Sequence, residues 1–231
     1  MISMTVITLF DIDKTLINRS TAHLNAFFFA LDEVYGVKAG PNIIAPHGMT
    51  DQQIIREVLK VKGISPVATE SGLSTCMAVM VEKFNELNPA DAVELLPGVV
   101  ELLTALADRK ALTGLVTGNL EPIAWAKLKK AGIAHFFTFG GFGSDDEDRG
   151  KMAGLALSRC NELYKSETSG SRVVLFGDTP YDVAAAHVIG ALAVGVATGF
   201  PSRHELETAG ADIVLDDFSD TQKVLAVVFD S

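Results

Sequence analysis

Two kinds of apolar pattern alternate along the chain. Val6-Ile7-Thr8-Leu9-Phe10 is a short β-branched run that stops abruptly at Asp11-Ile12-Asp13. Near-continuous runs of this kind predict central parallel strands covered on both faces. Ala111 to Val116 repeats the pattern and stops at Thr117-Gly118-Asn119, and Arg172 to Phe176 repeats it and stops at Gly177-Asp178. Weaker runs over Phe136 to Phe139, Leu192 to Val196 and Asp212 to Leu215 predict further strands. Helical spacing lies between them. Val99, Val100, Leu102, Leu103 and Leu106 share one face; Ile123, Lys127, Leu128 and Ala131 share another, with Pro122 near its start and Gly132 as its stop. Leu155, Leu157 and Leu163 mark a helix of less regular spacing. Strands alternating with such helices predict an α/β fold with a Rossmann-like, doubly wound parallel sheet.

Residues 16–95 break the alternation, with helical patterns and no convincing strand. Leu24, Phe27, Phe28, Leu31 and Val34 share a face, and Thr50-Asp51-Gln52-Gln53 reads as a capping box before Ile54, Ile55, Val58 and Leu59. Leu73, Met77, Met80, Phe84 and Leu87 form a helix-packing stripe. Pro97-Gly98 marks the return to the sheet. The expected organisation is an α/β core from residues 1–15 and 96–231, with an α-helical domain, 16–95, inserted after the first strand.

Composition narrows this picture. The 231 residues carry a net charge of −10, with 48% hydrophobic and 21% charged residues, ordinary values for a folded chain. The acidic balance argues against nucleic acid as a partner, whose footprint would be a basic patch. It leaves room for an anionic small molecule, because a site can be locally positive. Cys76 and Cys160 have no metal-type spacing and read as reduced thiols on apolar helix faces. Residues 1–10 are too short and reach Asp11 too soon for a secretory leader, and no apolar run is long enough to span a membrane. A cytoplasmic protein is expected.

The chemistry gathers at strand ends. Asp11 and Asp13, two apart in extended chain, point to one side while Ile12 points away. Open parallel sheets bind ligands beyond the carboxyl ends of their strands, and Asp11, Thr117 and Asp178 all sit at such ends. Asp178 and Asp182 are four apart at the start of a helix near Pro180, so they share a face there. Helix capping alone accounts for one such acid. Four acids converging on one pocket need a counter-charge, and oxygen-only ligands favour Mg²⁺.

Asp11-Ile12-Asp13-Lys14-Thr15 resembles the DxDx[TV] nucleophile motif of the haloacid dehalogenase (HAD) superfamily. Thr117-Gly118-Asn119 is similar to its second motif, and Gly177 to Asp182 to its fourth, GDxxxD. Leu96 to Val99 and Lys127 to Ile133 resemble segments of the phosphoglycolate phosphatase and β-phosphoglucomutase-like branch, and the resemblance spans essentially the whole chain. It implies that Asp11 attacks phosphorus to form an aspartyl-phosphate, and that Asp13 acts as acid and then base. It implies a phosphate site from Thr117, Gly118, Asn119 and a third-motif cation. It also implies a metal site from Asp11, Asp13 (through its carbonyl), Asp178 and Asp182. Lys151 aligns with the third-motif Lys, although Met152 follows where that branch often has Pro; Arg149 is the alternative. Lys14 stands where Gly is common. The helical insert resembles the branch's cap domain.

Asp13 favours a phosphatase over a dehalogenase, because an alkoxide leaving group needs a proton and a halide does not. The expected activity is Mg²⁺-dependent hydrolysis of a small phosphorylated metabolite. A sugar-phosphate mutase is the alternative. A receiver-type phosphorylation switch fits less well, being about half this length and lacking the helical insert. In the cap, His23, His47 and Thr50 are the substrate candidates, with Asn18, Arg19 and Arg56 behind them.

Overall fold

The computed structural model describes residues 5–41, 43–165 and 170–230. The leader-peptide reading of residues 1–10 falls partly on 1–4, outside the described residues. Among the described residues the apolar runs form one all-parallel sheet: β1 (Val6–Phe10), β2 (Leu112–Thr117), β3 (Phe139–Phe142), β4 (Arg172–Gly177), β5 (Leu192–Val196) and β6 (Ile213–Leu215). Their order is β3-β2-β1-β4-β5-β6. The chain therefore winds one way through β2 and β3 and the other way from β4 onward. The reversal lies between β1 and β4, where a crevice opens beyond the strand ends.

Every residue of β1 is buried, because helices cover both faces. On one side Val6 and Phe10 pack with α4 (Val99–Asp108), α5 (Glu121–Lys130) and α9 (Thr221–Phe229). On the other, Ile7 and Leu9 pack with α6 (Arg149–Tyr164), α7 (Pro180–Val188) and α8 (Arg203–Thr208). The period-2 direction of strand side chains makes this division. Thr8, buried between them, satisfies its hydroxyl on Thr113 at 3.2 Å.

Two expectations are corrected. The third strand is Phe139–Phe142, displaced from Phe136–Phe139, and Phe136 ends a short 3₁₀ turn. Its centre is Gly140-Gly141, a poor strand signal, kept small because a Cβ on Gly141 would run into the Met152 carbonyl of α6. On α6 itself Leu155 and Leu163 are exposed. The face packed on the sheet includes Met152, Ala153, Ala156 and Cys160, whose alanines let the helix approach closely.

Between β1 and α4 run α1 (Thr21–Tyr35), α2 (Asp51–Val61) and α3 (Pro66–Leu87). They share an apolar core that includes Phe27, Leu31, Ile55, Leu59, Met80 and Phe84. The Thr50 capping box forms at the start of α2. Entry and exit of this segment lie side by side: Ile17 bridges Leu95, Asn18 N–H donates to the Glu94 carbonyl at 2.8 Å, and Leu96 N–H to Leu16 at 3.0 Å.

Candidate active site

Asp11 leaves β1 with its N–H on the Phe176 carbonyl of β4 at 2.9 Å, which holds it at the winding reversal. Asp178 follows β4 and Asp182 lies in the first turn of α7. Oxygens of Asp11, Asp178 and Asp182 lie within 4.8 Å of one another, and all three residues are buried. Two glycines make room for them. A Cβ on Gly177 would collide with the Asp182 carboxylate, and one on Gly199 with that of Asp178. Asp182 is already engaged: one oxygen accepts from the Thr179 N–H (3.0 Å) and hydroxyl (2.6 Å), closing a capping box, and the other accepts from Arg149. The same guanidinium stands 3.6 Å from Asp11.

One guanidinium does not balance three buried acids. Burial pushes Asp11 up to about 7 against the pull of Arg149, with Asp182 and Asp13 adding to the rise. Burial likewise pushes Asp178 up to about 8, with Asp11 and Asp182 adding. A compact, buried, oxygen-only donor set short of positive charge fits a hard divalent cation such as Mg²⁺. Asp11 and Asp178 are the acids with oxygens left to give it; Asp182 is held by its cap and by Arg149.

Asp13 belongs to a second cluster. Its carboxylate accepts from Lys127 Nζ at 2.8 and 2.6 Å and from Asn119 Nδ2 at 2.8 Å. Lys127 is fully buried on α5 and also donates to Asn119 Oδ1 at 2.6 Å. Burial alone would raise Asp13. Lys127 first, then His23 and the hydrogen bonds, more than offset it and hold the carboxyl below its ordinary range. Nζ also meets His23 Nδ1 at 2.9 Å. Nε2 faces Asp51 Oδ2 at 3.2 Å, outside hydrogen-bonding geometry. Asp51, the first residue of α2, accepts from Leu120 N–H and donates its own N–H to the Gly118 carbonyl, both at 2.9 Å. The helical segment is thus fastened to the loop after β2.

Thr117 ends β2 with its hydroxyl oxygen accepting from Asn119 Nδ2 at 2.7 Å, which leaves the O–H free to donate to a bound anion. Asp11, Asp13, Thr117, Gly118, Asn119, Arg149 and Asp178 all line one cavity of about 710 Å³.

Not every expected residue is in it. Lys151 is a correction: its side chain is 67% exposed and pairs with Asp146 at 3.2 Å, outside the cavity lining. The cation turned inward is Arg149, the first residue of α6. Thr50 is consumed as the N-cap of α2, accepting from Gln53 N–H at 3.2 Å, and is not in the lining. His47 does line the cavity, stacked on Phe200 with ring centres 4.0 Å apart. His23 lies inside, between Lys127 and Asp51. Among the lesser candidates, Asn18 accepts from Lys14, Arg19 lies over Phe200 at 4.4 Å, and Arg56 pairs with Glu70 and Glu147. Lys127 and Asp51 were not singled out for chemistry. The signal was a lysine on the apolar face of its helix, a position that demands a buried acid.

Fold and site together define the class: an α/β protein whose acidic cluster sits at the winding reversal of a parallel sheet beneath an inserted helical segment. A family profile described as haloacid dehalogenase-like hydrolase matches residues 8–196. The chain is 24% identical over 222 residues to the probable phosphatase IndB of Dickeya dadantii, covering 94% of this chain and 92% of that protein. It is 30% identical over 129 residues to a phosphoglycolate phosphatase of Synechococcus elongatus, 56% of this chain and 58% of that protein. The solved structure of CbbY from Rhodobacter sphaeroides in complex with phosphate superposes with a TM-score of 0.74 at 22% identity, covering 94% and 96% of the two chains. The chain belongs to the haloacid dehalogenase-like hydrolase family.

Proposed function

We propose that this hydrolase is a Mg²⁺-dependent phosphatase acting on a phosphoric monoester through an aspartyl-phosphate on Asp11. The observation that carries it is the separation of two carboxylates two residues apart. Asp11 sits in the buried acidic cluster beside Arg149, and Asp13 is held apart by Lys127 and Asn119. One acid is thereby set for attack and the other for proton transfer.

In the first half, a carboxylate oxygen of Asp11 forms a bond to phosphorus and the bond to the ester oxygen breaks. Asp13 gives that oxygen a proton. Lys127 favours the ionised form of Asp13, and the negative charge of a bound phosphate beside it favours proton uptake. In the second half, water attacks phosphorus, Asp13 takes a proton from it, and Asp11 is released with phosphate. The Thr117 O–H and the Arg149 guanidinium face the phosphoryl oxygens. Asp11, the Asp13 carbonyl and Asp178 would hold Mg²⁺, which when bound neutralises charge on the transferring group.

The cap role of residues 16–95, closing over Asp11 and Asp13, is part of this proposal. Its support is the fastening of Asp51 to Gly118 and Leu120. The test is release of phosphate from a generic aryl phosphate. Turnover should require Mg²⁺ and fall at least ~10³-fold in Asp11→Asn. Wild-type turnover by Asp11→Asn would remove Asp11 as nucleophile.

A further inference from the structure

The cavity over the aspartates has two ends of opposite character. Its floor is the charged cluster. Its far wall comes from the helical segment: Leu24, Phe27 and Phe28 on α1, Ile54 and Val58 on α2, and Ile44 in the loop between them. No Lys or Arg reaches the lining from α1, α2 or the loop residues Gly40, Pro41 and 43–49. The acid and base that do reach it from these helices, Asp51 and His23, face each other at 3.2 Å. The other lining cations come from outside α1, α2 and that loop. Arg149 serves Asp182 and Asp11, Lys14 donates to Asn18, and Arg19 lies over Phe200 with a hydrogen-bonding contact to His47 at 3.1 Å.

A leaving group is judged by what this wall offers. A carboxylate or second phosphate would meet Asp51 and Asp13 and find no free cation on α1 or α2. A sugar could reach Ser20, Thr21 and His47 at the lining, but its remaining hydroxyls would be buried against Leu24, Phe27, Phe28, Ile44 and Ile54, which costs free energy for each one left unpaired. An apolar body loses nothing there and gains by leaving water. The volume of about 710 Å³ also exceeds what a two-carbon phosphate ester fills and lies in the range of drug-sized ligands.

We infer that the substrate is a monophosphate ester of a bulky apolar alcohol, its phosphate on Asp11 and its hydrocarbon against Leu24, Phe28 and Ile54. The inference rests on the phosphatase reading and narrows it: the substrate class departs from glycolate, sugar and pyrophosphate esters.

The test uses the Mg²⁺-loaded full chain and measures kcat/KM for phosphate release from ethyl, butyl and hexyl phosphate, with 2-phosphoglycolate and glucose 6-phosphate alongside. Equal leaving-group chemistry along the alkyl series isolates the wall. A rise of about three- to fourfold per added methylene is expected until the cavity fills, with hexyl phosphate ahead of both polar substrates. In Leu24→Ser, a change at a half-exposed position, the slope should flatten. A flat series, or a polar ester preferred over hexyl phosphate, overturns the apolar assignment and leaves the phosphatase reading standing. No release from any of the five overturns the phosphatase reading and the assignment with it.

Discussion

Arg149 and Lys151 stand two positions apart, about 200° around one helix, so one faces the sheet and the other solvent. Which is which depends on where α6 begins. Asp148 caps it, accepting from the Lys151 N–H at 3.1 Å, and that phase turns Arg149 inward. The sequence offers Asp145, Asp146 and Asp148 as rival caps, so the phase was not legible from it. The strand-end acids were legible, because a strand that stops at an acid has one direction in which to present it. Arg149→Ala should lower kcat/KM about 100-fold or more, since it removes a buried donor at the proposed phosphoryl site. Lys151→Ala should stay near wild type, since an exposed pair contributes little. Equal losses in the two variants would show that both cations serve the site. Lys14 is a smaller case at this scale: it holds φ at 68° in the left-handed region, the conformation that makes glycine common at that position.

At the scale of elements, α5 does more than cover the sheet. Its buried face carries Ile123, Ala124, Lys127 and Leu128, and the lysine threads through that apolar stripe to reach Asp13. Lys127, Lys129 and Lys130 all lie in the last turn of the helix, and the spacing to Ile123 and Leu128 is what sets the first apart. Lys127→Met keeps the length and loses the charge. It strands Asp13 and Asn119 without their shared donor, so a destabilisation of about 3 kcal/mol is expected in denaturant titration, together with a fall in kcat. Unchanged stability and kcat would mean that Asp13 is positioned by Asn119 alone. The displaced β3 belongs to this scale too. Its two glycines hid the strand because they answer to close neighbours and not to strand propensity: Gly141 to the Met152 carbonyl of α6, Gly140 to the Phe142 ring and Leu115 within the sheet.

Over the whole molecule, the clustering of acids at the winding reversal sets a pH dependence. Folded, Asp11 and Asp178 bind their protons with pKa values of about 7 and about 8, against 3.8 for the free side chain. Between these limits the folded chain holds more protons than the unfolded one, so stability falls as pH rises through that window. Below it both states are protonated and the contribution is fully present. Chelator-treated protein should therefore melt lower at about pH 8 than at about pH 5.5, and Mg²⁺ should recover more at the higher pH. An equal Mg²⁺ effect at both pH values would show that these acids do not hold the ion. No helix among the described residues is long and apolar enough to cross a membrane.

The paired entry and exit of the helical segment have a consequence for how this architecture changes over time. Residues 18 and 94 are hydrogen-bonded neighbours, so the ends of everything between them already meet. The sheet sees that whole length of chain as one closed loop. No strand of the sheet is paired through a residue of that loop, so a different set of helices could be joined at the same seam without rethreading the strand order. On the function proposed above, chemistry and selectivity would be separately heritable: the acids travel with the sheet, and the wall proposed to meet the leaving group travels with the insert.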